Sequence, residues 1–112
     1  MTLHITKPLL RASYIFIVES DPRLWAAMPD VKDIPFHVFR ANTHCADTDG
    51  YQIRVSQGRN GHAASVLVSV AHEMTHILRR IRGEKDWDTH GEKFNRIARR
   101  ICKRCGFDPK AF

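Results

Sequence analysis

The sequence contains no hydrophobic run long enough to cross a membrane. Its most apolar early stretch, ASYIFIV from Ala12 to Val18, is far shorter than the roughly 20 apolar residues that a spanning helix requires. That stretch leads into the polar letters ESDP without the small-residue pattern of a signal-peptide cleavage site. We therefore expect neither a membrane protein nor a secretory signal.

Cysteine is also scarce, because the sequence has only three, Cys45, Cys102 and Cys105. An odd number of cysteines without an export signal argues against a disulfide framework and favours a reducing compartment. We therefore expect a cytoplasmic protein. Cys102 and Cys105 fall on the apolar face of a predicted C-terminal helix, so we expect both to be core residues.

Internal repeats, low-complexity segments and linkers rich in proline, glycine or serine are missing as well. The length of 112 residues fits one domain, and 43% apolar with 27% charged residues is typical of a globular protein. We expect residues 1–112 to form a single domain around one core.

Helical and strand-like patterns together predict an α+β fold. Apolar residues recur at helical spacing from Pro8 to about Ser20, which predicts an N-terminal helix, although the letters YIFIV alone also suit a strand. Three later stretches have strand character: Phe36 to Ala41, Thr43 to Asp47 and Tyr51 to Ser56. The turn Thr48-Asp49-Gly50 suits a hairpin between the second and the third, and we expect a small antiparallel sheet.

A predicted central helix contains three polar groups that resist burial. Apolar residues follow the i, i+3, i+4 pattern from Val66 to Ile81, but His72, Glu73 and His76 interrupt it as the motif HEMTH. On a helix the two histidines lie on nearly the same side, about 6 Å apart along the axis, and can bind one cation. Neutral imidazole suits zinc, and a carboxylate beside the first ligand can act as a base toward a zinc-activated water.

A third ligand is expected from the last helix. We predict that Gly83 ends the central helix, and that the next one begins at a capping box of Thr89 and Glu92 and ends at Gly106. This places His90 in the first turn, from which it can reach the zinc. Glu92 is the rival ligand, although the capping box already engages it. More remote candidates are Glu84, Asp86 and Asp88. The other histidines have no ligand spacing: His4, His37, His44 and His62.

The letters HEMTH followed by HGEKF resemble the SprT-like (Spartan-type) zinc metallopeptidases and the related small WLM and YgjP-type enzymes. In those families an HExxH helix precedes an H-x-x-x-F segment that supplies the third histidine. The resemblance is best from Val66 to Phe107 and covers most of the chain loosely. It implies a minimal zincin-like fold. SprT-like proteins often add a ribbon of two cysteine pairs, whereas this sequence has the single pair Cys102 and Cys105.

The resemblance implies a zinc-dependent endopeptidase. His72, His76 and His90 would bind Zn²⁺, Glu73 would be the general base, and Phe94 would be a packing residue. The substrate would be a protein or peptide, and an extended substrate is expected to pair with an exposed edge of the sheet. Trp87, which lies in the loop before His90, is expected to pack, with a place in the cleft as the alternative.

Positive charge is in excess, because Lys and Arg outnumber Asp and Glu 18 to 12. Five cations cluster on the last predicted helix with no acid between them: Arg96, Arg99, Arg100, Lys103 and Arg104. This pattern favours an anionic partner, so we expect a peptidase that acts on nucleic-acid-bound proteins, as Spartan-type enzymes do. The alternative function is a nucleic-acid-binding or regulatory module with a non-catalytic zinc site. The simpler explanation of the charges is a solvated helix face.

Overall fold

The N-terminal helix forms as predicted. In a computed structural model that describes residues 4–112, α1 spans Lys7–Ser20. Thr6 caps this helix because its Oγ1 accepts a hydrogen bond from Leu9 N–H at 3.3 Å, and Pro8 fits the first turn, where its missing amide hydrogen has no partner to lose. One side of the helix is buried, at Leu10, Ser13, Tyr14 and Ile17. Helical spacing therefore outweighs the strand propensity of YIFIV.

The sheet is mixed, and the prediction of an antiparallel sheet was wrong for its first strand. The three strands are β1 (Phe36–Phe39), β2 (Ala46–Thr48) and β3 (Ile53–Ser56), in the spatial order β1-β3-β2. β2 pairs antiparallel with β3, as the predicted hairpin requires, whereas β1 pairs parallel with β3. The chain reverses direction between β1 and β2 and again between β2 and β3, so β1 and β3 run the same way. They become neighbours because β3, with Ile53 and Val55 fully buried, takes the centre, while β2 has no large apolar side chain and takes an edge.

The tip of the hairpin packs against the central helix. Gly50 has a φ of 97°, and a Cβ at this position would lie 2.6 Å from the Cδ of Arg80. Arg80 donates from Nε to the carbonyl oxygen of Gly50 at 2.6 Å, and its guanidinium lies 3.9 Å from the centre of the Tyr51 ring. Glycine is thus required both for the turn and for this close approach.

The central helix, α2, spans Ala63–Ile81 and ends at the predicted glycine. Gly83 has a φ of 80° and donates from its N–H to the carbonyl of Arg80 at 2.9 Å. Glu84 N–H donates to the carbonyl of Arg79 at 3.1 Å, which completes a Schellman motif. The chain therefore turns back beside the last turn of α2.

The last helix, α3, spans Glu92–Cys105, and the predicted capping box does not form. Its N-cap is Gly91, and the Thr89 hydroxyl donates instead to the carbonyl of Asp86 at 2.8 Å. His90 therefore lies in the loop before the helix rather than in its first turn. The C-terminal end is as predicted, because Gly106 adopts the left-handed conformation with a φ of 78°.

The α+β class is confirmed, with α2 in contact with α1, β2, β3 and α3. Both helical cysteines belong to the core as predicted, since Cys102 is buried and Cys105 packs against the buried cluster. No helix within residues 4–112 combines the length and the apolar character needed to cross a membrane.

Candidate metal centre

Two imidazoles of α2 face the same side of the helix. His72 and His76 are one turn apart, and their ring centres are separated by 5.1 Å. His76 is 5% exposed, whereas His72 is half-buried. Ser69 and Arg79 lie on the same side of α2 and are also buried, so the two rings lie against other parts of the protein rather than in bulk solvent.

The loop before α3 brings a third imidazole to these two. The Nε2 atom of His90 lies 3.1 Å from Nε2 of His72 and 3.0 Å from Nε2 of His76. In a tetrahedral zinc site with bonds of about 2.0–2.1 Å, ligand nitrogens are roughly 3.3 Å apart. Among residues 4–112, these histidines form the one group of three or more His, Cys, Asp or Glu side chains whose ligand atoms come this close, within 4.8 Å of one another.

Three of the four rival ligands have other partners. Glu92 accepts a hydrogen bond from Arg99 at 3.0 Å, and Glu84 and Asp86 both lie beside Arg79, at 2.8 Å and 3.2 Å. Among the remaining histidines, His44 bonds Asp47, and the other three are exposed: His4, His37 and His62.

Hydrogen bonds to the main chain orient two of the three rings. The Nδ1 of His76 lies 2.8 Å from the carbonyl oxygen of Trp87, and the Nδ1 of His72 lies 3.2 Å from that of Phe112. A carbonyl only accepts, so each Nδ1 carries the proton and each Nε2 presents a lone pair. The single N–H of His90 cannot fully satisfy both lone pairs, whereas a cation can.

Burial keeps the two helical imidazoles neutral. Loss of water contact, with a smaller contribution from the neighbouring His76, lowers the pKa of His72 to about 4. Burial is also the main cause of the lowered pKa of His76, to which the cation of Arg79 adds. Neutral imidazole is the form that binds a metal ion, so both rings are available as ligands near neutral pH.

An aromatic ring underlies the three imidazoles. The centre of the Phe94 ring lies 4.8 Å from the ring centres of His72 and His90 and 4.9 Å from that of His76. Phe112 adds a second ring at 5.6 Å from His72. These contacts place two apolar rings directly against the cluster.

Glu73 is buried beside the cluster. It is 6% exposed, and its carboxyl makes no hydrogen bond or ion pair with any residue between 4 and 112. Burial, with a smaller contribution from the charge of Asp47, raises the pKa of Glu73 to about 8. The side chain faces a cavity of about 260 Å³, whose other walls include His72, Ala46 of the edge strand β2 and Phe112.

A second cavity adjoins the same histidines from the side of α3. It has a volume of about 300 Å³, is lined by His72, His90, Phe94 and Phe112, and has Arg99 in its wall. Trp87, which was expected to pack, places its ring centre 6.5 Å from that of His76 in an edge-on arrangement. The cluster therefore lies between two cavities that share the walls His72 and Phe112.

Intramolecular carboxylates neutralise part of the predicted basic face of α3. Arg100 donates to both oxygens of Asp21, at 2.6 Å and 2.9 Å, and Arg104 lies 3.8 Å from the same carboxylate. Arg96 and Lys103 have no ion pair with any residue between 4 and 112. Exposed cations remain on this face, but they are fewer than the sequence alone suggests.

Comparisons with known proteins found no counterpart. No family model matches the sequence, and neither the curated proteins nor the solved structures searched include a match. Any function of the chain therefore has to be inferred from its own residues and their geometry.

Proposed function

We propose that the chain is a zinc-dependent endopeptidase, in which His72, His76 and His90 hold the metal and Glu73 is the general base. The observation that carries this proposal is the convergence of three Nε2 atoms beside a buried carboxyl that has no partner among residues 4–112. A structural zinc has four protein ligands and needs no base, whereas a catalytic zinc has three and leaves one position open.

The donor set fits zinc. Three neutral imidazoles, two of them oriented by main-chain carbonyls, match the ligands and the supporting hydrogen bonds of catalytic zinc sites. Zinc held there would lower the pKa of a water molecule toward 7 and polarise the carbonyl of a scissile peptide bond.

Glu73 supplies the proton transfers. Its carboxylate accepts a proton from the attacking water and delivers it to the nitrogen of the leaving amine. Burial raises the proton affinity of this group, which suits a base, and a neighbouring dication would favour its ionised form. The cavity of about 260 Å³ in front of Glu73 gives a substrate access to both the carboxyl and His72.

An extended polypeptide is the substrate that this geometry fits. Ala46 belongs to β2, an edge strand that pairs with β3 on one side, and it also lines the cavity at Glu73. A substrate strand added to the other side of β2 would pass the cavity with its peptide groups hydrogen-bonded. Recognition through the main chain would leave sequence preference weak.

The sequence resemblance supports the same assignment. In SprT-like enzymes the histidine of the H-x-x-x-F segment is the third ligand, and here His90 and Phe94 both contact the helical histidines. We place the enzyme in the cytoplasm, because its three thiols are unpaired.

Nucleic-acid-bound protein is the substrate class that the charge of α3 favours. Arg96, Arg99 and Lys103 are exposed cations on α3, the helix that lines one side of the second cavity. Phosphates could bind along this face and hold a protein substrate near the cluster.

The test uses Glu73→Gln, which removes the base and retains the shape of the side chain. We expect purified wild type and Glu73→Gln to hold one zinc per chain by metal analysis, and the variant to cleave a labelled unfolded protein about 100- to 10,000-fold more slowly. Glu19→Gln is the matched control, because it makes the same change at an exposed carboxylate of α1 that lines neither cavity. Equal cleavage by wild type and Glu73→Gln, or none by either, would favour the alternative of a non-catalytic zinc module.

A further inference from the structure

One arginine of α2 is completely buried. Arg79 is 0% exposed and lies three residues after His76, on the side of the helix that carries the metal ligands. A guanidinium cannot lose its proton in a protein, so its burial requires several acceptors in a fixed arrangement. The zinc peptidase chemistry proposed above makes no use of this group.

All the acceptors of Arg79 come from the loop between α2 and α3. Nε donates to Oε1 of Glu84 at 2.8 Å, and Nη1 donates to the carbonyl oxygen of Thr89 at 2.7 Å. Nη2 lies 3.2 Å from Oδ1 of Asp86, which is an ion-pair distance without hydrogen-bond geometry. The Schellman motif at Gly83 begins this loop and turns Glu84 back toward Arg79.

The same loop supplies two parts of the metal centre. Thr89, whose carbonyl binds Arg79, directly precedes His90. Trp87, whose carbonyl orients His76, lies between Asp86 and Thr89. The contacts of Arg79 therefore lie on both sides of Trp87 and extend to the residue directly before His90.

We propose that Arg79 is the positioning residue of the metal centre, holding the loop so that His90 and the Trp87 carbonyl reach the helical histidines. This inference rests on the proposed zinc site. Arg79 touches neither substrate nor metal in this role and acts through the loop. The planar fork of arginine is needed, because a lysine ammonium cannot span three acceptors that lie in different directions.

Arg79→Lys is the decisive variant, since it retains the charge and loses the fork. Arg82→Lys is its matched control, because Arg82 is exposed at the end of the same helix. We expect Arg79→Lys to bind Zn²⁺ about 10- to 100-fold more weakly in competition with a chromophoric chelator, and Arg82→Lys to bind as wild type does. With Co²⁺ in place of zinc, the visible spectrum of Arg79→Lys should shift, whereas a purely structural role would leave it unchanged.

The outcomes separate this inference from the proposed function. Folded Arg79→Lys with wild-type zinc affinity and an unchanged Co²⁺ spectrum overturns the positioning role and leaves the zinc site standing. Wild type that binds no Zn²⁺ overturns both. If Arg79→Lys does not fold, Glu84→Gln decides, because it weakens one of the guanidinium's contacts while the arginine stays. Weaker zinc binding in Glu84→Gln supports the proposal, and unchanged binding in that case overturns it.

Discussion

At the scale of single residues, the three imidazoles of the cluster are held in place in three different ways. His76 is fixed by burial and by the Trp87 carbonyl, and His72 by the Phe112 carbonyl. His90 has neither a helical position nor strong burial, so its place depends on the loop that carries it. A ligand of this kind is the easiest to lose.

His90→Ala should therefore lower the zinc content from one per chain to well below one after dialysis, because two imidazoles alone leave the metal with half of its tetrahedral ligands. Glu92→Ala, which removes the rival ligand two residues later, should retain full zinc content. Metal analysis of both purified variants checks this prediction. If His90→Ala retains full zinc and Glu92→Ala loses it, Glu92 rather than His90 is the third ligand.

At the scale of secondary-structure elements, a charge pair connects two helices. Asp21, the C-cap of α1, is 5% exposed in its side chain and accepts two hydrogen bonds from Arg100 of α3. These bonds are the main cause of the lowered pKa of Asp21. Because the folded pKa lies below the unfolded value of about 3.9, the stabilisation is complete above that value and is lost as the pH falls through the folded pKa.

Asp21→Asn should lower the free energy of unfolding by about 1–2 kcal/mol at pH 7, since Arg100 is partly exposed and solvent weakens the pair. The difference between the two proteins should shrink below about pH 4, where the wild-type carboxylate also becomes protonated. Urea denaturation at pH 7 and pH 3 measures it. Asp33→Asn, at an exposed carboxylate, is the control, and a difference independent of pH would contradict the assignment to charge.

Binding of nucleic acid is a second prediction at the scale of elements, and it concerns α3. The double variant Arg96→Glu, Lys103→Glu should bind duplex DNA more weakly than wild type. Its slope of log K against log salt should be smaller by about 2, one unit for each phosphate contact removed. Lys7→Glu, Arg11→Glu makes the same charge change on α1 and should have little effect. Equal binding by both double variants, or no binding by wild type at low salt, would exclude this face as a nucleic-acid interface.

The helices, and the two ligands His72 and His76 on α2, follow from local sequence patterns, which is why the sequence predicts them. The HEMTH spacing depends only on helix geometry, and the stops at Gly83 and Gly106 depend only on the chemistry of glycine. The parallel pairing of β1 does not follow from local pattern, because it requires β3 to lie between β1 and β2. That position depends on the burial of β3 in the folded protein.

Two supports of the centre could not be read from the sequence for a different reason. The acceptor at Trp87 is a main-chain carbonyl, which every residue has and no residue letter identifies. Arg79 occurs among neighbouring arginines at a helix end, where charge usually indicates solvent exposure. The failed capping box has a related cause, since the Thr89 hydroxyl turns to Asp86 inside the loop that Arg79 holds.

At the scale of the whole molecule, zinc should connect α2 to the loop before α3 and so contribute to stability. A ligand that binds only the folded state stabilises it by about 2.7 kcal/mol at a free concentration 100 times its Kd. For a domain of this size we expect EDTA to lower the Tm by roughly 10 °C. Calorimetry of wild type and of His90→Ala, with and without EDTA, checks this. An equal effect of EDTA on both proteins would show that the chelator acts elsewhere.

The positions of the two tryptophans give the molecule an intrinsic optical probe. Trp25 is 2% exposed and its buried Nε1 has no hydrogen-bond partner in the described part of the chain, residues 4–112, so Trp25→Phe removes this donor along with one fluorophore. Trp87 then remains as the sole tryptophan, with its ring centre 6.5 Å from that of His76. Fluorescence of this variant would respond to quenching by Co²⁺ at the cluster and to movement of the loop. Metal arrival and loop rearrangement could thus be followed in real time without any attached dye.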